Sequence, residues 1–238
     1  MRILITGNLG QIATNFIKLY SQVHQIDGFD RGKTPDNYNF DDYDVCLHLG
    51  ALTDVSECEA DNMQSRVDNY HLTCRVLDKF PKRIVFTSSA AVYGNSYPET
   101  NPISMYGTHK YLSEKQILRS GVNHAIVRLS NVFGINKGVI NLIKTRKGKN
   151  FTVYGDPYRD FIHVDDVCYI LEKLCYQQEN LLMNVSSNHA TSVLETAEKF
   201  CHVIRESTKA EDIVYSKLDN TEMLQRFPLK LKTVSEYL

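Results

Sequence analysis

The chain has 238 residues, 42% apolar and 23% charged, and its 27 basic and 28 acidic side chains leave a formal net charge of −1. That much apolar content over that length supports one large domain or one and a half ordinary ones, and excludes a disordered chain. The even charge excludes bulk electrostatic attraction to nucleic acid or anionic lipid, and leaves a neutral small molecule or a locally guided anion as ligand.

Taken in chain order, the first half alternates short β-like runs with amphipathic helical stretches, the pattern of βαβ units around a parallel sheet. Strands are predicted at residues 2–6, 23–27, 44–49, 83–88 and 125–129, and helices near 10–20, 63–80 and 105–120. Right-handed crossovers then give an α/β, doubly wound parallel sheet of Rossmann type, with its ligand crevice at the carboxyl ends of the strands. Beyond Gly134 the pattern loosens into a basic stretch over 144–149, a turn at Gly155-Asp156-Pro157, a helix over 164–175 and a polar tail from Glu206. No repeat or low-complexity linker appears, so any second lobe is interleaved with the first. No apolar run reaches bilayer length and residues 1–7 are too short for a signal-peptide core. A cytoplasmic protein without a membrane partner is expected. Cys46, Cys58, Cys74, Cys168, Cys175 and Cys201 are scattered, with neither metal-binding nor redox spacing, and read as small buried hydrophobes. No metal site is expected.

Two groups of residues carry chemistry. Gly7-Asn8-Leu9-Gly10-Gln11-Ile12-Ala13 follows the first strand and opens a helix. Glycines there allow a tight turn and close approach of a pyrophosphate to backbone N–H groups at the positive helix end. The contacts expected from this turn come from Gly7, Gly10, Gln11 and Ile12. An ordinary glycine-containing turn is the competing reading, and its position before Asp27, at the predicted end of the second strand, favours a dinucleotide. A carboxylate at Asp27 accepts ribose hydroxyls and repels a 2′-phosphate, which favours NAD over NADP; Arg31, four residues on, pulls the other way.

The second group is Ser89, after the 83–88 strand, with Tyr106 and Lys110, which share a helix face at a spacing of four. An ammonium beside a phenol draws the tyrosine pKa from about 10 towards neutrality and makes it a usable acid and base. A Tyr-x-x-x-Lys pair alone is weak, because both residues are common on helix faces. Beside a dinucleotide turn and a serine after an intervening strand, the catalytic reading is the stronger one.

Together these motifs make the chain resemble the extended short-chain dehydrogenases/reductases, the NAD-dependent epimerase/dehydratase group that acts on nucleotide sugars. Several further segments fit. His48-Leu49-Gly50-Ala51 is similar to the family's cofactor-lining segment and Asn69 to its helix asparagine. Arg128-Leu129-Ser130-Asn131-Val132-Phe133-Gly134 resembles R-x-x-N-x-x-G, and Tyr154-Gly155-Asp156 with Arg159-Asp160-Phe161 resembles the Y-G-D…R-D-F motif. The segments Met183-Asn184-Val185 and Thr191-Ser192-Val193 also fit the pattern.

The resemblance implies NAD as cofactor, held by Gly7, Gly10, Gln11, Ile12, Asp27, Leu49, Gly50, Ala51, Asn69, Tyr106 and Lys110. It implies Ser89, Tyr106 and Lys110 as catalytic residues, Ser89, Asn131 and Arg159 as substrate contacts, and a homodimer paired through the 63–80 and 105–120 helices. The implied division is a cofactor domain over 1–133, with 160–185 returning to it, and a small substrate lobe from 134–159 and 186–238.

Dehydratases of this family place Asp and Glu after the catalytic serine or threonine, where this chain has Ala90 and Ala91. The resemblance therefore points to nucleotide-sugar epimerisation, at C4. Keto-sugar reduction with the same three residues is the alternative, and a non-catalytic NAD(H) sensor a more distant one. No third strand or adenine-contacting Asp-hydrophobic pair is visible between Asp30 and Asp44, so the region around adenine is expected to be pared down. The 144–149 basic run reads as a solvated face, Phe29, Tyr38 and Phe133 as packing groups, and His109 as exposed.

Overall fold

The protein is described by a computed structural model covering residues 1–207 and 213–238; residues 208–212 of the expected substrate lobe lie outside the described residues. The order is β1 (Arg2–Thr6), α1 (Gln11–Tyr20), β2 (Gln25–Phe29), β3 (Val45–His48), α2 (Val55–Ala60), α3 (Asn62–Arg66), α4 (Leu72–Leu77), β4 (Ile84–Ser89), α5 (Met105–Arg119), β5 (His124–Leu129) and β6 (Asn131–Phe133). There follow α6 (Gly138–Thr145), β7 (Asn150–Tyr154), β8 (Tyr158–His163), α7 (Val164–Tyr176), β9 (Leu181–Val185), β10 (Ala190–Ser192), α8 (Val193–Glu198), β11 (His202–Glu206), α9 (Thr221–Arg226) and α10 (Val234–Tyr237).

Six strands form the main sheet in the order β2-β1-β3-β4-β5-β9, every pair parallel. The period of two along these strands sorts the core into two layers. Ile3, Ile5, Val45, Leu47, Val85 and Val127 face α1 and α7, while Leu4, Cys46, Ile84, Phe86 and Ile126 face α4 and α5. Chain direction across the sheet reverses between β1 and β3, and the crevice expected of such a sheet opens there, at the carboxyl ends. As the sequence suggests, no strand forms between β2 and β3. Two 3-10 turns, Pro35–Asn37 and Phe40–Asp42, fill the gap, and Phe40 and Tyr43 plug into the α4/α5 layer. Tyr38 stacks on Phe29 at 5.2 Å and donates to the Gly28 carbonyl at 3.0 Å, covering the β2 edge.

The 63–80 helix is not continuous. A π-helical turn at Val67–His71 separates α3 from α4 and turns the Asn69 carbonyl out to accept from Ser113 Oγ at 2.7 Å. A three-stranded sheet, β10-β8-β6, and the parallel pair β7-β11 enclose a separate apolar cluster with α6 and α8, containing Phe133, Ile140, Phe151, Phe161 and Val193. The 144–149 side chains are largely exposed, and Phe29 and Phe133 are buried. All six cysteines are free; five are buried and Cys74 is half-buried.

Candidate active site

The glycine turn is shaped by a close approach of backbones. Gly7 has φ +69°, and a Cβ there would lie 2.6 Å from Gly50 Cα and 2.8 Å from Gly50 N. Gly10 caps α1 in an extended conformation, leaving the first N–H groups of the helix turned to the crevice. Gly7, Gly10, Leu49, Gly50 and Ala51 line a cavity of about 240 Å³ that continues past Asp30, Arg31, Lys33, Asp68, His71 and Arg75. A bare glycine cradle, a helix N-terminus and a carboxylate at the strand end fit the diphosphate and ribose of a dinucleotide.

The other residues expected in cofactor contact stand differently. Gln11 accepts from the Asn136 backbone N–H at 3.1 Å, and Ile12 packs against the apolar core. Asn69 is buried behind the crevice, with its amide bonded to both the N–H and the carbonyl of Leu52 at 3.0 Å. It braces the segment after Ala51.

Asp27 departs from expectation. The second strand runs to Phe29, so Asp27 sits within it and accepts from Tyr43 Oη at 3.1 Å. The residue at the strand end is Asp30, whose carboxylate accepts from the backbone of Leu9 at 3.2 Å and Arg31 at 2.7 Å. Arg31 in turn leans on Asp68 at 3.4 Å. A signal for Asp30 lay in Gly28, where a Cβ would meet Asn8 at 2.6 Å and Ile5 O at 2.8 Å. That approach places the strand end beyond it.

Ser89, Tyr106 and Lys110 do converge. Ser104 caps α5 by accepting from Gly107 N at 3.1 Å, and a Cβ on Gly107 would strike the Ala91 carbonyl at 2.5 Å, so the start of α5 lies against the turn after β4. Ser89 Oγ accepts from Ala91 N at 3.1 Å, and its hydroxyl is close enough to the Tyr106 phenol to favour the ionised form. Lys110 Nζ donates to the Thr87 carbonyl at 2.8 Å and lies 4.6 Å over the Phe86 ring.

The expected electrostatic effect is reversed here. Burial pushes the Tyr106 phenol up to about 12, against a smaller lowering by the Ser89 hydroxyl, and pushes Lys110 down to about 7. Desolvation outweighs the Ser89 hydroxyl at Tyr106 and the Glu114 carboxylate at Lys110. His109 is a second correction. It is 4% exposed, bonded through Nδ1 to Ser65 at 2.9 Å, because α2 and α3 cover that side of α5.

Asn131 and Arg159 stand on neighbouring strands, with Asn131 paired to Phe161 in register. Asn131 Nδ2 donates to the Asp160 carbonyl at 3.3 Å, and Arg159 donates to the Tyr158 carbonyl at 3.2 Å. Among the described residues no cluster of His, Cys, Asp and Glu has metal-binding geometry, and no helix is long and apolar enough to cross a membrane.

Comparison with known proteins adds independent evidence. A family model for the NAD dependent epimerase/dehydratase family matches residues 3–186. A putative UDP-glucose 4-epimerase of Methanocaldococcus jannaschii is 31% identical over 192 residues, 70% of this chain and 63% of that protein. A UDP-glucose 4-epimerase of Mycoplasma pneumoniae is 28% identical over 69% of this chain and 60% of its own length. This chain thus spans less than two thirds of either relative. In fold it is similar to MoeE5 in complex with UDP-glucose and NAD, with a TM-score of 0.86 at 22% identity over 98% of this chain and 94% of that one. Motifs, fold and family match agree, and the chain belongs to the NAD dependent epimerase/dehydratase family.

Proposed function

We propose that the chain is an NAD-dependent nucleotide-sugar epimerase that inverts C4 of a nucleoside-diphosphate hexose through a 4-keto intermediate. The observation that carries the reading is the meeting of Ser89, Tyr106 and Lys110 beside a turn that offers only Ala90 and Ala91. An alanine transfers no proton, so the turn adds no carboxyl acid or base to the Tyr106 phenol and Lys110, and the site is suited to a single reversible proton transfer at a hydroxyl. Tyr106 takes the proton of the sugar 4-hydroxyl and returns it after the ring has turned. Ser89 holds the same oxygen, and Lys110, when protonated, favours the phenolate against the burial that holds the phenol up. NAD held at the Gly7–Gly10 turn would supply reversible hydride exchange at C4.

In this reading Gly7, Gly10, Leu49, Gly50 and Ala51 hold the cofactor. Asp30 accepts the ribose hydroxyls, the role expected of Asp27. Asn131 and Arg159 hold the substrate diphosphate, which suits a planar guanidinium, and the substrate lobe is built from 134–159 and 186–238. A homodimer forms through α3 to α5, where Met63, Val67, Leu112 and Leu118 leave apolar surface exposed. The curated relatives named UDP-glucose 4-epimerase support the reaction class.

The purified chain is incubated with UDP-, dTDP-, GDP- and CDP-hexoses, and new isomers are sought by NMR. One of them is expected to equilibrate with its C4 epimer without added NADH, and Tyr106→Phe is expected to lose about a hundredfold or more in rate. Stoichiometric consumption of NADH would establish a keto-sugar reductase instead. Unchanged turnover in Tyr106→Phe refutes the assignment of the phenol.

A further inference from the structure

Behind the candidate site lies an ionic group with no part in the chemistry above. Glu114, one helical turn beyond Lys110 on α5, is 1% exposed. Arg128 on β5 meets it with two parallel bonds, Nε to Oε1 at 3.0 Å and Nη2 to Oε2 at 2.7 Å. The same carboxylate accepts from Ser88 Oγ, the residue before Ser89. Arg128 Nη1 donates to Tyr93 Oη at 2.9 Å, and Tyr93 donates to Asn184 Oδ1 at 2.7 Å. Tyr93 closes the Ala90–Tyr93 turn that follows Ser89. One buried pair is thus bonded to the strand bearing Ser89 and to the turn after it, and it stands on the helix bearing Tyr106 and Lys110.

Stability alone is a poor reason to keep such a pair. Removing two charges from water costs several kcal/mol for each, and a well-packed apolar replacement is often as stable. The neighbours of Lys110 suggest another reason. The Cys58 thiol on α2 and the His48 ring on β3 lie within electrostatic reach of it, and from β4 it meets the Thr87 carbonyl and the Phe86 ring. On α5 itself it has Tyr106 and Glu114. Burial keeps the Cys58 thiol and the Tyr106 phenol protonated, and the His48 ring neutral. Glu114 is left as the one of these neighbours whose negative charge favours the ammonium.

We infer that Glu114, held by Arg128, is a positioning residue for the active site: its carboxylate keeps Lys110 charged, and its bonds fix Ser89 and α5 against each other. The inference rests on the reading of Lys110 and Tyr106 as the proton-transfer pair. Glu114→Gln preserves shape while removing charge, and Glu114→Asp restores the charge.

The first readout needs no substrate. The Lys110 side chain is titrated by NMR in the intact chain labelled at the lysine ζ nitrogens, its signal assigned by its loss in Lys110→Arg. Glu114→Gln is expected to lower the Lys110 titration by about one pH unit, and Glu114→Asp to recover most of it. On the epimerised sugar, Glu114→Gln is expected to lose about tenfold in kcat at neutral pH with KM nearly unchanged. A Lys110 titration that moves in neither variant overturns the inference. Should Glu114→Gln not fold, the double variant Glu114→Met with Arg128→Met removes both charges together; a lowered Lys110 titration in it sustains the inference and an unmoved one overturns it. A shifted titration with no turnover of any nucleotide sugar would leave the positioning role standing and refute the epimerase reading.

Discussion

Replacing Lys110 with methionine is expected to inactivate the protein and stabilise it. The side chain is 2% exposed, and burial brings its ammonium from an ordinary 10.5 to about 7. At ~1.4 kcal/mol per pH unit this is about 5 kcal/mol of unfavourable charge burial. The sign follows from proton uptake. Above pH 10.5 the lysine is neutral in both folded and unfolded chains. Between 10.5 and about 7 only the unfolded chain binds the proton, so folding is progressively disfavoured as pH falls; below about 7 both bind it and the penalty is constant. Methionine has a similar length and no charge, but it forfeits the 2.8 Å bond to the Thr87 carbonyl, about 1–2 kcal/mol. With local relaxation, the net gain at pH 7 is expected to be about 1–4 kcal/mol, the range for apolar replacement of buried charge. Urea unfolding at pH 7 and pH 10 measures it. The variant midpoint should rise at pH 7 with unchanged slope, and its advantage should vanish by pH 10. A variant less stable than the parent at pH 7, or an advantage of equal size at both pH values, refutes the reasoning.

Two further predictions concern the cofactor crevice. Gly7→Ala places a Cβ 2.6 Å from Gly50 Cα at φ +69°; the left-handed backbone alone costs about 1–2 kcal/mol, so calorimetric NAD affinity should fall together with the melting temperature, and an unchanged affinity would show that the turn does not cradle the cofactor. Asp30→Ala should weaken NAD binding about tenfold, on the scale of one lost charged hydrogen bond. Asp27→Asn, within the strand and against Tyr43, should leave affinity within about twofold by the same measure; the opposite ranking would return the ribose to Asp27.

The alternation of strands and helices over the first half of the chain, the parallel sheet and the missing strand between Asp30 and Asp44 were legible in the sequence, whereas β6 to β11 were not. The glycine turn and the Tyr106–Lys110 spacing were legible too. These depend on local periodicity, turn chemistry and motif order, which the chain carries residue by residue. The register of β2 was not legible, because Gln25–Phe29 is an edge strand with only Phe29 buried, so its pattern is weak and its end falls at Asp30.

Tertiary structure alone decided the electrostatics. Whether Lys110 acidifies Tyr106 depends on how much water each has lost, and that depends on β4 and α2 arriving from distant parts of the chain. His109 is buried because α2 and α3 fold over a face of α5 that its own sequence leaves polar. The helix through Asn69 breaks into a π turn where its carbonyl meets Ser113 on α5. Glu114 looked like an ordinary charged helix residue and Arg128 only like the start of a motif, until the fold put them 2.7 Å apart. Pattern in the sequence determines which segments form; desolvation and long-range contact determine what their polar groups can do.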